Sequence, residues 1–280
     1  MTLIRLGLIG DNIAASRAPD LHRYCGHLLS LDVRYDLQIP AREGRSFDAI
    51  LEEDRLSGFH GVNITLPYKQ RVVPLLRIDD PATRRLGAVN TVRFENGVAI
   101  GHNTDRSGFV SAYRATFGAE PPGRVMVIGA GGVGNAVAFG LIELAAQEIV
   151  VVDPSDDRAD ALVQALGAAG GAARRGFLGD AETMDGMCNC TPLGMTGYPG
   201  TPLPDGAPRG LRWAFDAVYT PVDTEFRAQV ETAGAAFLSG FELFFFQGIH
   251  AFEIFTGHRV ENTQKLRAML LDPAQETHSP

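Results

Sequence analysis

The sequence has little of what marks several classes of protein. It has no run of roughly 18 apolar residues, which excludes an ordinary transmembrane helix. Its three cysteines are too few for a disulfide framework and suit a reducing compartment. The net charge of −8 lacks the basic excess of nucleic-acid binders. With 45% hydrophobic and 21% charged residues, the composition also excludes disordered, collagen-like and coiled-coil proteins.

The length of 280 residues corresponds to about two domains, at roughly 150 residues each. The apolar start of the chain reaches Asp11 too early for a secretory signal peptide. We therefore expect a cytoplasmic protein that binds neither nucleic acid nor a membrane.

Short apolar runs alternate with longer amphipathic stretches, a pattern typical of α/β proteins. We predict strands over residues 4–9, 33–38, 61–65, 91–95, 98–100, 124–128, 148–152, 186–189, 213–217 and 236–239. We predict helices over residues 19–29, 43–53, 107–117, 134–146, 158–166, 224–233 and 243–256. Asn96-Gly97 stands between two strand-like runs and predicts a hairpin with a type I′ turn, because both residues accept positive φ.

A domain boundary is indicated at Glu120-Pro121-Pro122-Gly123, which cannot continue a helix and precedes a fresh strand. A phosphate-binding glycine loop normally follows the first strand of its domain, and here such a loop begins only at Gly129. We predict an α/β fold of two domains: a substrate-binding domain over residues 1–105 and a Rossmann dinucleotide-binding domain over residues 106–242. The helices of residues 243–280 either continue the second domain or, as we prefer, complete the first.

The glycine loop fits the pattern G-x-G-x-x-G between a strand and a helix. It consists of Gly129, Ala130, Gly131, Gly132, Val133 and Gly134. In this pattern the first glycine allows a tight turn, the second lets the backbone approach a pyrophosphate, and the third lets helix and strand pack closely. An ordinary glycine-rich turn between a strand and a helix also fits this pattern, so the prediction of a dinucleotide site needs a second signal.

Asp153 supplies that signal, since it ends the next strand at the distance where an acidic side chain binds the adenosine ribose. A carboxylate there repels a 2′-phosphate and predicts NAD rather than NADP. Arg158 instead favours NADP, because a nearby guanidinium accommodates the 2′-phosphate. A purely structural role for Asp153, as the cap of the following helix, remains an alternative.

Three polar clusters precede the glycine loop. They are Asn63-Ile64-Thr65-Leu66-Pro67-Tyr68-Lys69, Gly87-Ala88-Val89-Asn90-Thr91 and Gly101-His102-Asn103-Thr104-Asp105. Each has an ordinary reading by itself: Lys69 as a surface lysine, Asn90 as a turn residue and Asp105 as a helix cap.

Together and in this order, the clusters resemble the shikimate dehydrogenase family, including its quinate/shikimate dehydrogenase branch. The resemblance extends over most of the chain. It continues with Asn189-Cys190-Thr191-Pro192-Leu193-Gly194-Met195, with Asp216-Ala217-Val218-Tyr219-Thr220-Pro221 and with Gln247. Ser16-Arg17-Ala18-Pro19 resembles the family's Ser-x-Ser-Pro loop, except that Ala18 replaces the second serine.

The resemblance implies a role for each matching residue. Lys69 and Asp105 are the catalytic pair. The expected substrate contacts are Ser16, Thr65, Asn90, Tyr219 and Gln247. The expected cofactor site includes Arg158 and Thr191 as well as the glycine loop and Asp153, with Ala217 and Gly240 beside the nicotinamide.

The implied reaction is the reversible oxidation of a ring hydroxyl of quinate or shikimate, with 3-dehydroquinate or 3-dehydroshikimate as the ketone. The cofactor takes the hydride, Lys69 takes the hydroxyl proton, and Asp105 orients Lys69 and binds a ring hydroxyl. We expect the Lys69 amine and the Asp105 carboxylate to meet in a cleft between the domains, facing the nicotinamide.

Two departures from the family pattern favour an NAD-dependent branch that acts on quinate or a related ring acid. Ala18 removes a hydroxyl that would bind the substrate, which either weakens the binding of shikimate or makes room for the extra hydroxyl of quinate or for a related ring acid. Asp153-Pro154-Ser155 stands where NADP-using members carry Asn-Arg-Thr, so the base that would hold a 2′-phosphate is missing.

Several alternatives stay open at this point. The substrate is another ring acid such as aminoshikimate, or the protein is a catalytically idle NAD-binding regulator. A folate-type dehydrogenase is disfavoured, because the motif Gly-x-Asn-Thr-Asp would then have no assigned role. The histidines and cysteines lack metal-ligand spacing, so we expect no metal. The phenylalanines near the C-terminus recur at helical spacing, and an exposed part of that stripe would indicate a homodimer.

Overall fold

The computed structural model describes residues 3–271; residues 1–2 and 272–280 lie outside it, including the end of the stretch predicted to complete the first domain. The described chain divides into two compact units. The first unit contains the residues up to Thr104 and those from Gln247 onward, and the second contains Asp105–Phe246.

The secondary structure follows the alternation in the sequence. The strands are β1 (Leu3–Ile9), β2 (Asp32–Gln38), β3 (Gly61–Ile64), β4 (Thr91–Glu95), β5 (Val98–His102), β6 (Arg124–Ile128), β7 (Glu148–Val152), β8 (Ala173–Arg175), β9 (Gly186–Asn189), β10 (Trp213–Asp216) and β11 (Ala236–Ser239). The helices are α1 (Ala18–Leu28), α2 (Pro40–Glu43), α3 (Phe47–Leu56), α4 (Pro81–Leu86), α5 (Thr104–Phe117), α6 (Gly132–Glu143), α7 (Asp156–Ala168), α8 (Glu225–Thr232), α9 (Gly240–Thr256) and α10 (Thr263–Leu271). Short 3₁₀ helices cover Val73–Leu75 and Leu178–Thr183. The α/β class is confirmed.

The first unit contains a mixed sheet of five strands in the order β2-β1-β3-β4-β5. Strand β1 is parallel to β2 and β3, whereas β4 is antiparallel to both β3 and β5. The predicted hairpin is confirmed, since Asn96 and Gly97 have φ of 51° and 76° between β4 and β5. This arrangement brings the polar cluster after β3 and the one before β4 to neighbouring strand ends.

The second unit contains a parallel sheet of six strands in the order β11-β10-β9-β6-β7-β8. Strand β6, which precedes the glycine loop, pairs with β7 on one side and β9 on the other. Buried apolar side chains fill the region around these strands, among them Met126, Val150 and Met187. Because all strands run the same way, the residues that follow β6, β7, β9 and β10 meet at one edge of the sheet.

Some elements differ from the sequence-based expectation for local reasons. The helix predicted from residue 43 begins at Phe47, because Gly44 has φ of 64° and ends α2, and the Ser46 side chain then caps α3. The short edge strand β8, with Arg174 and Arg175, has too little apolar character to predict a strand. Within residues 3–271, no helix combines the length and hydropathy that crossing a membrane requires.

A buried carboxyl group in the first unit makes stability depend on pH. Asp54 of α3 is 3% exposed and accepts a hydrogen bond from Gln38 Nε2 at 2.8 Å. Oδ2 of Asp54 has no partner among the described residues. Burial raises the pKa of Asp54 to about 6, although the bond from Gln38 acts to lower it.

We expect Asp54→Asn to stabilise the protein relative to wild type increasingly as pH rises from about 4 to about 7.5. The pKa of Asp54 is raised on folding, so the cost of burying the ionised group is absent below the unfolded pKa and is complete only above about 6. The difference in unfolding free energy between variant and wild type should therefore grow by about 1 to 3 kcal/mol over this range. Denaturant unfolding at several pH values measures it, with the exposed Asp32→Asn on β2 as control. A pH-independent difference would contradict the assignment.

Candidate active site

Two glycines of the loop between β6 and α6 are required by close packing, and a third borders open space. Gly129 has φ of 100°, and a Cβ there would lie 2.9 Å from the backbone of Cys190. A Cβ on Gly134 would lie 1.8 Å from Gly129 O, so only glycine allows this approach of helix and loop. Gly131 caps α6, and a Cβ on it would meet nothing within 4 Å.

The geometry of the loop fits the pyrophosphate of a dinucleotide. The helix α6 begins with the backbone amides of a glycine-rich turn, and the positive end of its dipole favours an anion. Asn135 Nδ2 donates to Ala130 O at 3.0 Å and to Gly131 O at 2.8 Å, which holds the turn in shape. The open space beside Gly131 is where a phosphate would approach the backbone.

Asp153 follows β7 and faces the glycine loop. Its side chain is 4% exposed, and it accepts hydrogen bonds from Ala130 N at 2.8 Å and Ser155 N at 2.8 Å. Arg158 donates to the same carboxylate through Nε at 3.1 Å and Nη2 at 2.8 Å. Burial acts to raise the pKa of Asp153, but these donors outweigh it and lower the pKa, so the group is a carboxylate. The cap of α7 is Ser155 rather than Asp153.

Other residues assigned to the cofactor lie at the same edge of the second sheet. Thr191 follows β9, Ala217 follows β10, and Gly240 follows β11. A Cβ on Gly240 would lie 2.5 Å from Ala217 O, so these two backbones pack directly. The structure therefore brings the glycine loop, Asp153, Thr191, Ala217 and Gly240 together within the second unit.

Two further predicted residues belong to the second unit. Asp105 lies in the first turn of α5 and is buried, with 6% exposure. Tyr219 is half-buried, and its ring stacks on Phe244 of α9 at 5.4 Å between centroids.

In the first unit, Asn90 is the centre of a buried hydrogen-bond network. Asn90 Oδ1 accepts from Thr104 N at 2.7 Å, and Asn90 Nδ2 donates to Gln247 Oε1 at 3.4 Å. Thr91 Oγ1 lies 3.0 Å from Thr104 Oγ1. Asn90 and Gln247, 157 positions apart in the sequence, thus meet, and their binding of a substrate stays a prediction.

The remaining first-unit residues surround the turn after β3. Lys69 is buried, with 9% exposure, and its carbonyl accepts from Val89 N at 2.8 Å. Thr65 N donates to Ile9 O at 3.0 Å, and Ser16 Oγ accepts from Ala18 N at 3.2 Å. Lys69 belongs to the first unit and Asp105 to the second, and their pairing stays a prediction.

The scarcity of lysine makes Lys69 conspicuous. The chain has 25 basic residues, of which Lys69 and Lys265 are the lysines and the rest are arginines. Lys265 is exposed on α10, whereas Lys69 is buried. Arginine does not give up its proton in proteins, so lysine is the basic residue type that suits the predicted proton transfer, and that role of Lys69 stays a prediction.

Sequence reasoning missed a residue that connects this site to the sheet. Asn63 Nδ2 donates to Asn90 O at 3.2 Å and to Thr91 Oγ1 at 3.1 Å. Tyr35 of β2 donates its hydroxyl to Asn63 Oδ1 at 2.9 Å. The available signal was an amide within the otherwise apolar buried strand β3. Among the described residues, no group of three or more His, Cys, Asp or Glu side chains is arranged to hold a metal.

Comparison with known proteins identifies relatives along the whole chain. Residues 8–92 match the profile of the shikimate dehydrogenase substrate binding domain. The quinate/shikimate dehydrogenase (NAD(+)) of Corynebacterium efficiens is 36% identical over 278 residues, covering 96% of this chain and 98% of the relative. The shikimate dehydrogenase (NADP(+)) of Pseudarthrobacter chlorophenolicus is also 36% identical, covering 90% of this chain and 89% of the relative.

Solved structures of quinate and shikimate dehydrogenases also resemble the structure of this chain. A quinate dehydrogenase from Corynebacterium glutamicum, in complex with NAD, superposes with a TM-score of 0.88 at 34% identity and covers 96% of this chain and 99% of its own. A shikimate 5-dehydrogenase from Thermus thermophilus, in complex with NADP(H) and shikimate, has a TM-score of 0.85 at 31% identity, covering 95% of this chain and 98% of its own.

Proposed function

The chain belongs to the shikimate dehydrogenase family, and on that premise we propose that it is an NAD-dependent dehydrogenase that reversibly oxidises a ring hydroxyl of quinate or shikimate. The ketones formed are 3-dehydroquinate and 3-dehydroshikimate. We also propose that the protein is located in the cytoplasm and forms a homodimer.

The observation that carries the choice of NAD is the position of Asp153 against the glycine loop. Its carboxylate accepts from Ala130 N at 2.8 Å, so a negative charge stands beside the loop, where the adenosine ribose next to the pyrophosphate would lie. A 2′-phosphate at this place would face that charge, whereas a ribose hydroxyl would donate to it. Arg158 donates to Asp153 through two of its nitrogens, so this carboxylate already compensates part of its charge.

The catalytic roles follow from the chemistry of the side chains. Bound NAD supplies the hydride acceptor at the nicotinamide. Lys69 removes the proton of the hydroxyl being oxidised and, as an ammonium group, returns a proton to the ketone in the reverse direction. Asp105 orients Lys69 and binds a ring hydroxyl of the substrate. Ser16, Thr65, Asn90, Tyr219 and Gln247 supply hydroxyl and amide groups for the polyhydroxylated acid.

Ala18 favours quinate or a related acid over shikimate. The amide of Ala18 is bound to Ser16 Oγ at 3.2 Å, and its methyl group replaces a hydroxyl that would bind the substrate in the family pattern. Quinate carries one more ring hydroxyl than shikimate and needs more room. Aminoshikimate stays a second candidate substrate, because the space left by Ala18 would also admit a related ring acid.

Initial rates of NADH or NADPH formation with quinate, shikimate and aminoshikimate test the proposal. We expect turnover with NAD and quinate or shikimate, and a lower kcat/KM with NADP. Binding of NAD without turnover of any of the three acids would instead favour the idle regulator.

Replacing Asp153 should relax the choice of cofactor. We expect Asp153→Ser to lower the ratio of kcat/KM for NAD over NADP by about tenfold or more, because the charge facing a 2′-phosphate is removed and Arg158 is released to bind it. Steady-state kinetics with both cofactors measure the ratio. The exposed Asp157→Asn, in the first turn of α7, should leave it unchanged. An unchanged ratio in Asp153→Ser would contradict the role of Asp153.

A further inference from the structure

The second unit contains a buried polar pair with no role in the reaction described so far. Asn189 is the last residue of β9 and Asp216 the last residue of β10, and both side chains have 0% exposure. Asn189 Nδ2 donates to Asp216 Oδ1 at 2.9 Å. Burying an amide and a carboxyl group is costly unless each is fully hydrogen-bonded, so such a pair persists where it fixes a structure.

Asn189 fixes the loop after β9. Its Oδ1 accepts from Thr191 N at 3.0 Å and from Thr191 Oγ1 at 2.7 Å, and its Nδ2 also donates to Leu193 O at 3.1 Å. The same loop supports the glycine loop, since Gly129 packs against the Cys190–Thr191 backbone. Asn189 therefore sets both the position of Thr191 and the surface on which the glycine loop lies.

Asp216 fixes the loop after β10. Its Oδ1 accepts from Val218 N at 3.0 Å and its Oδ2 from Thr224 Oγ1 at 2.6 Å. Gly240 packs on this loop too, because a Cβ on it would lie 2.7 Å from Asp216 O. Thr224 in turn caps α8 through its bond from Arg227 N at 3.1 Å.

We propose that Asn189 and Asp216 are positioning residues that together hold the two loops carrying Thr191 and Ala217 in the arrangement that binds NAD. This inference rests on the proposed function. Neither side chain is required to touch the cofactor, because each acts through backbone and hydroxyl groups of the loop it holds. The bond between them connects the two loops across neighbouring strands.

The donors around Asp216 favour its ionised form. Asn189, Val218 and Thr224 all donate to it, and a proton on the carboxyl group would occupy an oxygen that now accepts. Burial raises the pKa of Asp216 to about 6, against the bonds from Thr224, Val218 and Asn189, which act to lower it. Cys190 is the titratable group beside it, and burial followed by the charge of Asp216 raises the pKa of that thiol, so it stays neutral. NAD binding near pH 6 should therefore be accompanied by release of a proton from Asp216.

Calorimetric titration of the whole protein with NAD tests this coupling. In wild type we expect the Kd for NAD to rise about three- to tenfold between about pH 7.5 and about pH 5.5, the equivalent of one lost hydrogen bond. Titrations near pH 6 in buffers of different ionisation enthalpy should show proton release on binding. In Asp216→Asn the Kd should be higher than in wild type at pH 7.5, because a neutral amide is a weaker acceptor, and the proton release should be lost.

The matched control is Asp54→Asn, which removes a second buried carboxyl group with a pKa of about 6 but lies in the first unit. It should leave both the Kd and the proton release at wild-type values. Asp216→Ala, which deletes the connection, should raise the Kd about tenfold or more. If Asp216→Asn keeps the wild-type Kd and proton release, or if Asp54→Asn changes them equally, the inference is overturned. Failure of the wild type to bind NAD at all would instead overturn the proposed function on which it rests.

Discussion

Lys69→Ala should lower kcat for oxidation of the ring acid by about 10²-fold or more, the usual loss when a general base is removed. The binding of NAD should be unchanged, since the substitution leaves the glycine loop and Asp153 intact. Steady-state kinetics with saturating NAD, together with calorimetric titration of NAD, separate the two effects.

Lys69→Arg distinguishes proton transfer from simple charge. Arginine keeps the positive charge but does not act as a base, so this variant should lose about as much kcat as the alanine variant. The matched control is Lys265→Ala, which removes the chain's other lysine from an exposed position on α10 and should leave kcat unchanged. Wild-type turnover in Lys69→Arg would show that only the charge of this residue matters, and wild-type turnover in Lys69→Ala would remove it from the mechanism.

Gly131→Ala should weaken NAD binding about tenfold or more without unfolding the protein, a change of about 1.4 kcal/mol in binding free energy or greater. A Cβ at Gly131 meets no protein atom within 4 Å, so the folded chain accommodates the methyl group. The space it fills is where the pyrophosphate would approach the backbone of the glycine loop. Calorimetric titration with NAD and thermal unfolding measure the two quantities side by side.

Gly167→Ala is the matched control for this prediction. Gly167 lies in α7 of the same unit, and a Cβ there also meets nothing within 4 Å. This variant should bind NAD normally and be slightly more stable, because alanine is favoured over glycine within a helix by about 1 kcal/mol. Unchanged NAD affinity in Gly131→Ala would show that the dinucleotide does not approach the loop at this position.

The parts of the fold that could be predicted from the sequence are those with local signals. Strand β6, the glycine loop, α6 and Asp153 follow one another within a short stretch, and each has a residue pattern tied to its geometry. The hairpin at Asn96-Gly97 was predictable for the same reason. Helix α4 has six residues and strand β8 three, so neither gives a periodic signal long enough to recognise.

The hydrogen bonds around the candidate site could not be predicted from the sequence, and the roles assigned to its residues stay predictions. Asn189 and Asp216 are 27 positions apart, as are Asn63 and Asn90, and their hydrogen bonds exist only because parallel or neighbouring strands bring their ends together. A sequence pattern identifies a polar residue at a strand end but does not say which other residue it meets. The pairing of Lys69 with Asp105 is a prediction of the same kind and stays one.

The central step of the proposed reaction is the transfer of hydrogen, as a hydride, from the ring carbon bearing the hydroxyl to NAD. A single turnover with NAD and quinate deuterated at C3, followed by mass spectrometry of the nicotinamide product, measures this transfer directly. We predict NADH that carries the deuterium together with 3-dehydroquinate in equal amount, and formation of both products about 10²-fold more slowly in Lys69→Ala. Unlabelled NADH, or no NADH from either quinate or shikimate while NAD remains bound, would contradict it.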